Sequence, residues 1–424
     1  MSALPVGLLP STSSADDAGH LRIGGVDLLD LAADFGTPLF VYDEAHLRAR
    51  AGEAVEALGP DGAIYATKAF LCRAMARLAH EEGMRLDVAT GGELAVALAA
   101  GVPPDRLVLH GNNKAVWELR AALDAGVGRI VVDSEVELDR LESLVADGLP
   151  RPKILLRINP GIEVHTHEHV RTGNLDSKFG FPLPTGQAHS ATQRAAASSA
   201  FDLVGLHMHI GSQVFSVENF LEGLRTVAPF VVDEDLPELI VGGGLGVAYV
   251  EGEEAPTLTS WAGAIIRTCR EAGITASIAA EPGRSIVAQA AVTLYEVGTI
   301  KFIPGVRTYV AVDGGMSDNP RPVLYGSGYE TFLPRAVAAE RELPVRLVGK
   351  HCESGDLIVR EGTLPGDLAV GDIVATPVTG AYGHSMGSNY NKVLRPPVVF
   401  VSEGEAREVV RRETVADLLA TDMG

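Results

Sequence analysis

Lys68 lies in YATKAF (65–70), directly behind a run of apolar residues. A lysine ammonium is ordinarily solvated and inert, with a pKa of about 10.4. Burial or a neighbouring cation would free it to attack a carbonyl and form a Schiff base. Glu281 opens EPGR (281–284), where a carboxylate can cap a turn or hold a protonated ring nitrogen. GGGLG (242–246) is by itself no more than a tight turn. With EPGR it makes two glycine turns whose free amides suit a phosphate. Cys352 stands in KHCESGD (350–356), poor surroundings for a buried thiol and good ones for a proton donor. HTHEH (165–169) invites a metal, but its spacing is not H-E-x-x-H and no cysteine cluster supports it. We read it as a polar loop and expect no metal.

These residues need a scaffold that brings distant segments together. Apolar runs recur at 63–67, 85–89, 107–110, 129–132, 153–158, 203–209, 238–242 and 276–281. Helical patterns fill most gaps, as in 72–83 and 114–126. Eight βα repeats over roughly 240 residues fit an α/β fold of the (β/α)8 TIM-barrel kind. An open doubly wound sheet has the same alternation, since periodicity does not show closure. In a barrel, chemistry gathers where strands end, and the unusual polar residues fall there. Lys68, His110, Arg157, Asn159, His207, His209 and Glu281 all close or follow a run, while Asp87 lies within one.

Beyond residue 290 the pattern changes to β-rich segments at 291–303, 308–314, 345–350 and 372–378, with no comparable helices between them. This predicts a TIM barrel over 41–290 and a C-terminal all-β domain over 291–424, which the N-terminal segment 1–40 joins.

Asp and Glu number 55 against 35 Lys and Arg, a net charge of −20. Such a chain repels nucleic acid and anionic membranes, and an anionic ligand requires a local basic pocket. Hydrophobic residues make up 46%, enough for a large core. Cys72, Cys269 and Cys352 are few and far apart, which argues for a reducing compartment. The first residues carry no basic, apolar leader pattern, and no apolar run reaches the ~18–20 residues of a membrane span. A soluble, cytoplasmic protein is expected.

Taken in order, YATKAF, LDVATGGEL, HGNNK, RINPG, RTGNLDSKFGF, GLHMHIGSQ, GGGLG, EPGRSIV, VDGGMSDNPRP, GKHCESGD and TGAYGHSMGSNYN cover nearly the whole chain. This series resembles the fold-type III pyridoxal-phosphate-dependent decarboxylases, in the pattern of those that act on diaminopimelate. HCESGD and DGGMSDNPRP are specific; the glycine turns are not. The resemblance implies an alanine-racemase-like barrel, pyridoxal 5'-phosphate, and conversion of meso-2,6-diaminopimelate to L-lysine and carbon dioxide, the last step of lysine biosynthesis. It makes Lys68 the Schiff-base lysine, stacks His209 on the cofactor ring and pairs Glu281 with the ring nitrogen. It assigns the phosphate to Ser212, Gly246, Gly283, Arg284 and Tyr382, and puts Asp87 and Arg157 near the cofactor. It gives substrate to Arg284, Arg321, Tyr325, Glu353 and Tyr382. It also implies a homodimer in which Cys352, as proton donor, and Glu353 reach in from the partner subunit. Phe70 and Gly387 depart from the pattern, which often has Asn and Ala there; neither change removes a reactive group.

Two other readings stand beside this one. An ornithine, arginine or carboxynorspermidine decarboxylase would share the cofactor residues. Diaminopimelate carries a distal carboxylate as well as a distal ammonium, so its site needs a cation besides an anion. A non-catalytic cofactor-binding protein on the same scaffold is the other reading, against which the joint presence of Lys68, Glu281 and Cys352 argues.

Overall fold

The eight apolar runs form strands because each is short, flanked by turn residues and buried at least towards its C-terminal end, as parallel strands covered by helices are. We number them β1 (Ile64–Ala66), β2 (Arg85–Val88), β3 (Leu107–Leu109), β4 (Arg129–Val132), β5 (Lys153–Asn159), β6 (Asp202–Met208), β7 (Glu238–Ile240) and β8 (Ser277–Ala279). The computed structural model describes residues 6–161 and 175–424. Each strand pairs in parallel with the next, from β1 through to β8. A parallel bridge between Ala63 and Ala280 joins the two ends. The amides of Ile64 and Ala66 donate across this seam to the carbonyls of Ala280 and Pro282, at 3.0 and 3.2 Å. The sheet is therefore a closed TIM barrel, and the open-sheet alternative falls. Ile64, Val108, Val131, Leu155, Ile240 and Ala279 fill it as one apolar cluster. Each fully buried Val, Leu or Ile contributes about 1.5–3 kcal/mol.

Helices follow the strands as expected, among them Arg73–Glu81, Val116–Ala125 and Leu258–Glu271. Thr90 and Thr257 begin theirs, each side-chain oxygen accepting from an amide of the first turn.

The chain divides into two compact units, residues 50–247 with 255–285, and residues 1–49 with 248–254 and 286–424. The second is built on an eight-stranded sheet. Strand Leu39–Asp43 lies across the boundary expected at residues 40 and 41, yet it sits inside this sheet. It pairs antiparallel with Ala291–Ile303 and parallel with Val398–Ser402. The strands expected at 291–303, 308–314, 345–350 and 372–378 are present at Ala291–Ile303, Arg307–Val312, Leu343–Val348 and Ile373–Pro377. Leu357–Leu364, Val398–Ser402 and Glu405–Val410 complete it. Leu39, Val41, Val292, Leu294, Val399 and Val401 are fully buried in its core. No helix among the described residues is long and apolar enough to cross a membrane.

Candidate active site

Strand ends place the polar residues of the barrel at one mouth. Lys68 lies on the single turn Thr67–Ala69 that follows β1. This turn is tied down from both sides: Thr67 donates to the carbonyl of Asp87 at 2.6 Å, and the Tyr65 hydroxyl donates to the carbonyl of Phe70, also at 2.6 Å. In the chain alone Lys68 is exposed.

Glu281, two residues beyond β8, is the centre of a buried cluster. Its Oε1 lies 3.0 Å from His110 Nε2 and its Oε2 lies 3.2 Å from His207 Nε2. His110 follows β3 and His207 lies on β6. The two imidazoles meet edge to face, their centroids 4.9 Å apart. Burial pushes the Glu281 carboxyl up, but His110 and His207 outweigh it and hold it well below the usual carboxylate range. Burial works against a charge on His110 too, yet Asp87 and Glu281 raise it above the ordinary value. His207 shows the opposite balance: burial takes it down to about 4, in spite of Glu281. The arrangement is an ionised carboxylate beside a His110 that favours its charged form and a His207 that favours its neutral one. Asp87, on β2, is raised by burial to about 6, with His110 and Lys68 lowering it and Glu281 raising it.

Arg157, on β5, lies 3.5 Å from Asp133 at the end of β4, with its guanidinium 4.2 Å from the centroid of the Phe179 ring. Asp133 also accepts from the Gly180 amide at 3.0 Å. His209, just past β6, accepts at Nδ1 from the Gly243 amide at 3.2 Å, so its ring proton belongs on Nε2. Burial holds His209 well below its ordinary value, and the charges of Lys68 and Arg157 add to this.

The two glycine turns meet beyond β7 and β8. Arg284 donates from Nη2 to the Ser212 hydroxyl at 3.0 Å. Side chains are excluded here: a Cβ on Gly244 would stand 2.0 Å from the Gly211 carbonyl oxygen, and one on Gly283 would stand 2.9 Å from the Ala66 carbonyl oxygen. Gly242 and Gly244 also hold φ of +72° and +112°.

These features fit pyridoxal phosphate. Glu281 Oε1 is buried and, among the described residues, receives no well-aligned hydrogen bond despite its short contact to His110. It is an acceptor suited to a protonated ring nitrogen. The glycine cradle with Ser212 and Arg284 offers backbone and guanidinium donors suited to a phosphate. His110, His207 and Glu281 also bring ligand atoms within 4.8 Å of one another. HTHEH lies outside the described residues.

The remaining expected residues belong to the β unit. Arg321 is buried; its Nη1 donates to the Tyr329 hydroxyl at 2.8 Å and its guanidinium lies 4.1 Å from the Tyr249 ring centroid. Tyr325 ends the same short helix and is exposed. Cys352 and Glu353 are exposed on a loop. Asp356 anchors that loop by accepting from the Met316 and His351 amides at 2.7 and 2.8 Å. Cys352 donates its own amide to Asn391 Oδ1 at 2.9 Å. Tyr382 holds φ of +60°, a left-handed conformation that a non-glycine residue adopts at a cost.

His110, His207 and Asp133 carry roles that the sequence reading left unassigned. The first two were visible as strand-end polar residues. Asp133 had the same signal, standing directly after RIVV (129–132).

Comparison with known proteins agrees with this chemistry. The pyridoxal binding domain of the pyridoxal-dependent decarboxylases matches residues 44–288. A diaminopimelate decarboxylase of Mycobacterium bovis is 46% identical over 98% of this chain and 97% of its own. One from Bacillus subtilis is 44% identical over 98% of each. The crystal structure of a diaminopimelate decarboxylase from M. jannaschii in co-complex with L-lysine superposes with a TM-score of 0.90 at 33% identity, covering 98% of both chains.

Proposed function

The chain belongs to the diaminopimelate decarboxylases, within the pyridoxal-dependent decarboxylase family, and from this membership we infer the role of each site residue. The enzyme removes one carboxylate of meso-2,6-diaminopimelate to give L-lysine and carbon dioxide, with pyridoxal phosphate as cofactor. The observation that carries the assignment of roles is the buried, ionised Glu281 held between His110 and His207.

When bound, the cofactor supplies an electron sink, a conjugated cationic ring that takes up the electron pair released as carbon dioxide leaves. Lys68 would carry it covalently through Nζ. Glu281 would keep the ring nitrogen protonated, since its carboxyl is held well below the usual carboxylate range. His209, neutral, would lie against the ring face, with Asp87 and Arg157 near the cofactor. Ser212, Gly246, Gly283 and Arg284 would hold the phosphate, joined by Tyr382. Arg321 would receive the distal carboxylate of substrate, with Arg284, Tyr325, Glu353 and Tyr382 completing recognition. A buried guanidinium with an aromatic surround suits a carboxylate, which ornithine and lysine lack at that end.

The family resemblance supports a homodimer in which Cys352 and Glu353 serve the partner's barrel, with the Cys352 thiol returning a proton to the α-carbon. It supports a cytoplasmic location as well. The test of substrate choice is release of carbon dioxide across a panel of diaminopimelate, lysine, ornithine and arginine. Release from diaminopimelate alone is expected; equal or faster release from ornithine would overturn the assignment of Arg321.

A further inference from the structure

The opposite mouth of the barrel, where the strands begin, is not closed. A cavity of about 800 Å³ opens there. Asp61 and Gly62 lead into β1, Arg85 starts β2, Arg129 starts β4, Glu238 starts β7 and Ser277 starts β8, and all of them line it. Lys68 and Glu281 lie at the other ends of these strands.

Most of the charges in this cavity are matched. Arg129 forms a two-pronged pair with Glu238, Nε lying 2.9 Å from Oε2. Arg106 donates to Asp61 Oδ1 at 2.7 Å and to the carbonyls of Pro60 and Gly83 at 2.8 and 2.9 Å. Arg270 and Asp105 are exposed. Arg85 is different. It is 7% exposed, and among the described residues its side chain makes one long hydrogen bond, from Nη1 to the Asp61 carbonyl at 3.4 Å. No carboxylate stands within ion-pair distance of it among those residues. Burial and the nearby Arg129 both work against its charge and lower its pKa from the ordinary value.

A guanidinium so placed is costly to the fold, because removal from water is not offset by a partner. Guanidinium cannot escape by losing its proton, as a lysine could. The lowest-energy remedy is an anion with two oxygens that matches the fork of donors. The chain as a whole carries a charge of −20, so a positive enclave is the only kind of place on it where an anion is welcome.

We propose that this cavity is a second ligand site, at the far end of the barrel from Lys68, which binds a small oxyanion, carboxylate or phosphate, on the Arg85 guanidinium. The cavity exceeds the size of such an ion, so the ligand can carry a further organic part.

Calorimetric titration of the cofactor-loaded enzyme tests this, with inorganic phosphate in one arm and acetate in the other, ionic strength being held constant with chloride. The cofactor's own phosphate fills the phosphate cradle, and loss of binding in the Arg85 variants separates this site from the substrate-carboxylate position at Arg321, so binding here is read separately from turnover and does not rest on the decarboxylase assignment. We expect one saturable site per chain that depends on Arg85 for at least one of the two anions, and the stronger arm identifies the ligand class. Arg85→Met should weaken that binding by about ten-fold or more, the worth of a charged hydrogen-bonded pair, with decarboxylation unchanged. Arg85→Lys keeps the charge without the fork and should also bind less tightly, which covers the case in which Arg85→Met does not fold. Absence of saturable binding in both arms would overturn the site, as would undiminished affinity in the folded variants.

Discussion

His207 Nε2 stands 3.2 Å from Glu281 Oε2, with both side chains buried and 74 residues apart in the chain. Burial holds the imidazole down at about 4, so near neutrality His207 is an uncharged donor to an ionised carboxylate. A neutral donor leaves the negative charge of Glu281 available to a cationic ring. Glu281→Gln removes that charge while keeping the shape. Turnover should fall on the order of 100-fold, as when one preorganised charge contact at a reacting group is lost. Cofactor absorbance should show that the cofactor is still bound. A variant with wild-type kcat would show that the ring nitrogen has another partner.

Lys68→Ala should abolish turnover and eliminate cofactor trapped by borohydride, since Lys68 is the amine presented on the turn after β1. Peptide mapping of the wild-type enzyme after reduction should find the label on residue 68. A label on any other lysine would sink the assignment.

Acid sensitivity should divide between two buried groups of opposite sign. The folded pKa of His207, about 4, lies below its unfolded value of about 6.5. Its contribution to stability is thus complete above 6.5 and is lost as pH falls towards 4. Asp87 is raised from 3.8 to about 6, so its contribution is complete below 3.8 and is lost as pH rises through 6. In cofactor-free enzyme, His207→Gln should flatten the fall of the melting temperature between pH 6.5 and 4, while Asp87→Asn should steepen it and raise the midpoint at pH 7.5. Melting curves across that range check both signs, and parallel curves for all three proteins would contradict them.

Arg321→Met should raise KM for diaminopimelate by roughly 10–100-fold, the worth of a charged hydrogen bond, while leaving cofactor affinity close to wild type. Arg321 is buried against Tyr249 and bonded to Tyr329, so Met, of similar length, limits the packing loss. An unchanged KM would end its role as the carboxylate receptor.

Cys352→Ala should keep cofactor but slow turnover and loosen the stereochemistry of deuterium uptake in heavy water. Mixing Lys68→Ala with Cys352→Ala dimers tests the shared site. After random exchange half the dimers are mixed, and each has one intact site, so activity should recover to about a quarter of wild type. No recovery, with exchange confirmed by mass spectrometry, would place both residues in one chain's own site.

The sequence by itself was enough to locate the eight barrel strands, because a parallel βα unit has its own period and each strand is a short apolar run. It was enough to mark Lys68, His209 and Glu281, because that period tells where strands end. It did not reveal that Leu39–Asp43 belongs to the β sheet, since a buried five-residue strand reads the same in either unit. Nor did it show that Glu281 lies between His110 and His207, or that among the described residues Arg85 has no carboxylate within ion-pair distance while Arg129 has Glu238. Those are facts of distance between strand ends far apart in the chain. They depend on closure of the barrel between β1 and β8 and on the stagger of each strand against the next. Only the folded tertiary structure sets these, since hydrophobic periodicity specifies which face is buried and not which polar neighbours meet.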